Sequence, residues 1–89
     1  MANQSSVRAL RALANAKRLD LLFTLRRSGA RTLTDLASSI RLSIKSTQKH
    51  LTLLLAAGLV ESERRGRYVY YHLSPADNWR EKLIALALR

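Results

Sequence analysis

The 89-residue sequence predicts a mainly α-helical domain carrying one small β-hairpin, with its elements in the order α-α-α-α-β-β-α. Three observations point there. Apolar residues recur at spacings of three and four through successive segments, the pattern of helices with one buried face. Residues 59–73 instead show period-two character around a glycine and are rich in strand formers. Hydroxyl or amide side chains and glycines stand where such helices should begin and end.

In the first helix, about residues 6–15, Val7, Leu10, Leu13 and Ala14 form the apolar stripe, with Ser5 and Ser6 as the cap. Asn15 caps or bends the junction to a second helix, Ala16 to Ser28, with Leu19, Leu22 and Phe23 on one stripe and Leu21 and Leu25 on another. Apolar over much of its circumference, that helix belongs at the centre of the core, and Gly29 is its stop. Thr32-Leu33-Thr34-Asp35 resembles a capping box, a hydroxyl followed three residues later by a carboxylate. It opens a short helix with Leu36, Ala37 and Ile40 inward. Arg41-Leu42 makes a tight connection, and Ser43 caps a longer helix to about Ala57 whose inward stripe is Thr47, Leu51, Leu54 and Leu55. Gly58 ends it. Leu59 to Arg64 and Arg67 to Leu73 then form a hairpin separated by Arg65-Gly66. Ser74-Pro75 breaks the pattern, and Asp77 or Asn78 caps a last helix, about 77–89, with Trp79, Leu83, Ile84, Leu86, Ala87 and Leu88. The chain reads as one domain, with no repeat, linker or low-complexity segment.

Composition narrows the function. The 47% hydrophobic content is enough for a core, which argues against wholesale disorder. No cysteine is present, so disulfides, thiolate metal sites and thiol nucleophiles are excluded together. No apolar run approaches the roughly 20 residues that span a bilayer, and the N-terminus lacks a signal-peptide block, so a cytoplasmic location is expected. Sixteen Lys and Arg against six Asp and Glu give a net charge of +10, which attracts polyanions, nucleic acid before anionic membrane.

Four features converge on double-stranded DNA. The short helix, tight turn and capped longer helix within about 33–57 form a helix-turn-helix, with small Ala37 where the two helices cross. Outside its core stripe the longer helix carries Lys45, Ser46, Gln48, Lys49 and Thr52, side chains able to address base edges or phosphates, with Ser43 and Thr47 as further candidates. No acidic residue lies between Leu36 and Val60, whereas a merely solvated face more often mixes both signs. At the hairpin tip, Arg64, Arg65 and Arg67 suit the phosphate backbone or the minor groove, although a charged tip also serves to block edge aggregation. Finally, Trp79, Leu83 and Leu86 with Val7 and Leu10 offer more apolar surface than a small domain needs, which fits a two-fold homodimer, or else packing on the domain itself. Such a dimer would present two recognition helices to palindromic half-sites about one helical turn apart.

The residues also resemble a known family. Ala12-Leu13-Ala14-Asn15-Ala16-Lys17-Arg18-Leu19-Asp20-Leu21-Leu22, Thr34-Asp35-Leu36-Ala37 with Leu42-Ser43, and Ser46 with His50-Leu51 and Leu54 are similar to the motifs of ArsR/SmtB-type repressors. So are Ala57-Gly58-Leu59-Val60 and Gly66-Arg67-Tyr68-Val69-Tyr70-Tyr71-His72-Leu73, and the likeness runs from about Leu10 to Ser74. It implies a winged helix-turn-helix with the wing at about 59–73, homodimerisation through the first and last helices, and repression by operator binding. Two departures stand out. Arg41 occupies the turn position where the family has glycine, which asks a left-handed backbone of a non-glycine residue. The family's cysteine metal motif is absent, with Thr32-Leu33-Thr34-Asp35 in its place.

No metal or cofactor is expected, since the last helix offers only Asp77 and Glu81 and no histidine. His50 and His72 read as structural, His50 bonded to the backbone or the wing. Neither has a catalytic neighbour, so no enzyme is expected. Tyr68 and Tyr70 alternate with Val69, Tyr71 and Leu73, putting the second set in the core, and Trp79 anchors the last helix. The reading is a transcription regulator, a repressor whose effector the sequence does not name. The alternatives are a non-specific architectural DNA-binding protein, a protein-interaction module on the same scaffold and, least favoured, membrane-surface binding through the last helix.

Overall fold

Local signals set most of the element boundaries. In the computed structural model, which describes residues 4–75, the order is α1 (Gln4–Leu13), α2 (Ala16–Ser28), β1 (Arg31–Thr32), α3 (Leu33–Ile40), α4 (Ile44–Ala56), β2 (Val60–Arg65) and β3 (Tyr68–Leu73). Asn15 caps α2, its side chain accepting from the backbone N–H groups of Lys17 (3.0 Å) and Arg18 (3.1 Å). Thr32 caps α3 by accepting from the Asp35 N–H at 3.2 Å, and Ser43 caps α4 by accepting from the Ser46 N–H at 3.1 Å. Helix α1 starts at Gln4, so Ser5 and Ser6 lie inside it rather than ahead of it. The expected last helix, 77–89, lies outside the described residues.

Two helices end in the same way. After α4, the Leu59 N–H reaches the Leu54 carbonyl and the Gly58 N–H the Leu55 carbonyl, both at 3.0 Å, with Gly58 at φ 74°. This is a Schellman motif. After α3, the Leu42 N–H bonds the Ala37 carbonyl (3.0 Å) and the Arg41 N–H the Ser38 carbonyl (3.3 Å). Here the left-handed residue is Arg41 itself, at φ 57° and ψ 49°. An arginine therefore holds a conformation that disfavours any side chain by about 1–2 kcal/mol.

The hairpin register pairs Val60 with Leu73 through Arg65 with Tyr68, so the turn is Gly66-Arg67, one residue later than the sequence predicts. Gly66 has φ 63° and Arg67 is not among the positive-φ residues, the signs of a type II′ turn, which wants glycine first. The structure also adds a strand that periodicity does not predict. Arg31 and Thr32 pair antiparallel with Tyr71 and Tyr70, giving the sheet order β1-β3-β2. Two residues are too few to show alternation, and Thr32 doubles as the cap of α3.

The core gathers Leu13 from α1, Leu21, Leu22 and Leu25 from α2, Leu36 and Ile40 from α3, Leu51 and Leu54 from α4, and Leu59 and Val60. Each fully buried leucine stabilises by roughly 1.5–3 kcal/mol. Tyr71 and Leu73 pack against this cluster as alternation predicts, while Tyr68 stays exposed. Phe23 departs from its expected stripe. It is 42% exposed, and Leu21 and Leu22 fill the centre instead.

Candidate nucleic-acid interface

Helix α4 buries Thr47, Leu51 and Leu54, and its remaining faces carry the candidate contacts. Lys45, Gln48, Lys49 and Thr52 are exposed, and Ser46 is half-buried. Lys45, Lys49 and Thr52 recur at helical spacing, so they share one side, with Gln48 beside them. The Thr52 hydroxyl donates to the Gln48 carbonyl at 2.9 Å, which leaves only its lone pairs for an outside donor. The Ser43 hydroxyl is different. Its oxygen accepts the cap bond, and its hydrogen stays available for a phosphate.

Thr47 must be withdrawn as a base contact. It is 0% exposed, and its hydroxyl donates to the Ser43 carbonyl at 2.8 Å. Its polar atom is thus satisfied inside the core, and the side chain belongs wholly to the inward stripe.

Two residues that pattern reading missed stand beside these. Ile44, the first residue of α4, is 51% exposed, and an apolar side chain there suits contact with a thymine methyl group. Its apolar character assigns it to a core by default; the signal against that was its place directly after the cap. Arg41, exposed in the turn before α4, adds a cation next to the helix start.

The wing arginines are not equivalent. Strand pairing sets Arg65 with Tyr68 and Glu63 with Tyr70 on one face, and Arg64 with Val69 on the other. Arg65 pairs with Glu63 at 3.2 Å and lies 5.1 Å above the Tyr70 ring. Exposed pairs of this kind are worth about 1 kcal/mol or less, so Arg65 can exchange its partner for a phosphate. Arg64 and Arg67 are exposed and, among the described residues, make no ion pair or side-chain hydrogen bond.

His50 is half-buried on the inner edge of α4, and its partner is neither the backbone nor the wing. Its Nδ1 meets Arg18 Nη1 of α2 at 3.3 Å. Burial first, and then the charge of Arg18, hold its pKa below the ordinary 6.5. His72 Nδ1 lies 3.0 Å from the Leu73 carbonyl.

Of the expected dimer residues, Val7 is half-buried and Leu10 is 46% exposed on α1. Trp79, Leu83 and Leu86 lie outside the described residues. No helix among the described residues is long and apolar enough to cross a membrane. No group of three or more His, Asp or Glu among them is placed to hold a metal ion. The Thr32-to-Asp35 stretch, in place of the cysteine motif, is used to cap α3.

Comparison with known proteins places these features in context. The family model HVO_A0114 matches residues 6–74. The arsenical resistance operon repressor of Escherichia coli K12 is 31% identical over 84 residues, covering 93% of this chain and 72% of that protein. The arsenical resistance operon repressor of Bacillus subtilis 168 is 33% identical over 67 residues, covering 75% of this chain and 64% of that protein. Among solved structures, the homodimeric winged helix-turn-helix DNA-binding domain Mb0332 of Mycobacterium bovis superposes with TM-score 0.81 at 28% identity, over 94% of this chain and 77% of that one. NolR from Sinorhizobium fredii superposes with TM-score 0.79 at 32% identity, over 94% of this chain and 82% of that one.

Proposed function

The chain belongs to the ArsR/SmtB-type family of winged helix-turn-helix DNA-binding transcription regulators, and from that premise we propose that it is a homodimeric repressor of a palindromic operator. The observation that carries this reading is the character of α4. A helix capped by Ser43 presents Lys45, Gln48 and Lys49 outward, in a stretch from Leu36 to Val60 that contains no carboxylate. A lysine ammonium and a glutamine amide supply donors for guanine and a bidentate partner for adenine, which a non-specific binder has no need to array on one helix. Arg64 and Arg67 hold the flanking backbone, and Arg65 joins them by leaving Glu63. Val7 and Leu10 extend the apolar surface through which a second copy docks, and the sequence carries no cysteine for the soft-metal motif of the family.

Selection of the full chain against a random double-stranded DNA pool at physiological salt tests this directly. Enrichment of a two-fold symmetric site, with half-sites about 34–36 Å apart, is the expected result. Salt-sensitive binding without any enriched motif would instead make the protein an architectural binder, the reading its net charge of +10 also permits.

A further inference from the structure

A groove runs between α1 and the C-terminal half of α4, with a volume of about 280 Å³. Its apolar wall is Val7 and Ala12 on one side and Leu53 and Ala56 on the other, and Leu53 is 49% exposed there. Its rim carries Arg8 and Arg11, three residues apart and so on one side of α1. Among the described residues neither guanidinium makes an ion pair or hydrogen bond, and no carboxylate lines the groove. Arg18 closes the inner end, with three of its five N–H donors given to the carbonyls of Ala12 (2.7 Å) and Arg11 (2.9 Å) and to His50.

We propose that this groove binds a small amphipathic carboxylate, and that its occupancy modulates DNA binding. The chemistry asks for both halves of such a molecule. A bare anion would satisfy Arg8 and Arg11 but leave Leu53 and Ala56 wet. A neutral apolar molecule would cover the wall and leave two cations that have no partner among the described residues. An arginine fork meets a carboxylate with paired N–H bonds, and the second arginine adds charge. The volume lies just below the usual ~300–1,000 Å³ of ligand sites, so the ligand is small. DNA is the wrong partner for these arginines. Leu53 and Ala56 lie nine and twelve residues beyond Ile44, about 14–18 Å along the helix from the end that faces the groove of DNA. A ligand seated there ties α1, the expected dimer helix, to α4, the reading helix. The regulatory half rests on the DNA-binding reading above; the site itself does not.

The test is an amide NMR titration of the full chain, without DNA, using octanoate, octan-1-ol and inorganic phosphate as separate probes. Octanoate should shift the amides of Ala12, Leu53 and Ala56 saturably, with the other two probes at least about tenfold weaker. Arg8→Gln with Arg11→Gln should cost at least about tenfold in octanoate affinity while the remaining spectrum overlays that of the parent. Equal binding of octanol would reduce the site to an apolar patch, and response to phosphate alone would reduce it to a cationic surface. Either result, an unaffected double variant, or no saturable shift up to the solubility of octanoate overturns the proposal. For regulation, saturating octanoate should change affinity for the selected DNA by about fivefold or more, and by linkage that DNA should change octanoate affinity equally. Octanoate binding with unchanged DNA affinity overturns the regulatory half. Failure to select any DNA motif, with octanoate still bound, overturns the DNA reading and leaves the site standing.

Discussion

Arg18 of α2 and His50 of α4 meet at 3.3 Å between Nη1 and Nδ1, and the same guanidinium donates to the last carbonyls of α1. One side chain therefore joins the C-terminus of α1, the central helix α2 and α4. The contact needs an imidazole with a free lone pair, so protonation of His50 both breaks it and sets two cations together.

Stability should for this reason fall in mild acid. The His50 pKa is held below 6.5, so the native state prefers the neutral ring. Above about 6.5 both folded and unfolded chains are neutral there and the contribution is complete. As pH drops below that value the unfolded chain takes up the proton first, and stability declines until the folded pKa is passed. Urea midpoints measured from pH 7.5 to about 5 should show the decline. His50→Gln, whose amide oxygen still accepts from Arg18, should flatten it, and an unchanged slope would remove His50 as its source.

Arg41→Gly should separate stability from DNA affinity. Glycine relieves the left-handed strain at φ 57°, partly offset by the freedom it adds to the unfolded chain, for a net gain of about 0.5–1 kcal/mol. Affinity should fall if the exposed guanidinium contacts a phosphate. A thermal melt and a DNA titration on one sample check both, and a destabilised variant would contradict the Schellman assignment.

Base reading and backbone holding should respond differently to substitution. Gln48→Ala should relax discrimination at one base pair by about 1–3 kcal/mol. Arg64→Ala or Arg67→Ala should weaken all sequences alike and reduce the log–log salt slope by about 0.9 per lost phosphate contact. Repeating the selection and a salt titration with each variant distinguishes the two roles, and a sequence-selective effect of Arg67→Ala would assign that residue to base reading instead.

Leu10→Glu should convert dimer to monomer by placing a charge on the exposed apolar face of α1. Sedimentation should report the halved mass, with affinity for the palindrome lost and half-site affinity kept. A dimer that survives the charge would place the interface elsewhere.

The cap of α4 should behave as a purely local element. Ser43→Ala removes the acceptor of the Ser46 N–H and should cost about 1 kcal/mol in a denaturant titration. Ser43→Asp should keep the cap while repelling phosphate, so stability is retained and DNA affinity falls.

What the sequence determined by itself is whatever is settled within about one helical turn. Asn15, Thr32, Ser43, Gly29 and Gly58 bound their helices because cap bonds reach only two to five residues along the chain. The strain at Arg41 was legible for the same reason, and helical spacing was enough to separate Leu51 and Leu54 from Lys45 and Lys49. Tertiary structure decided the rest. Strand β1 exists because Tyr70 and Tyr71, some forty residues on, offer Arg31 and Thr32 a partner edge. The hairpin register, not the count of arginines at its tip, put Arg64 and Arg65 on opposite faces, since a shift of one residue reverses every side chain. Thr47 is buried and Ile44 exposed because packing against neighbouring elements, rather than polarity, governs a position at the margin of a helix face. The pairing of Arg18 with His50, 32 residues apart, needs α1, α2 and α4 already packed, and no local pattern along the chain encodes which side chains such packing brings together.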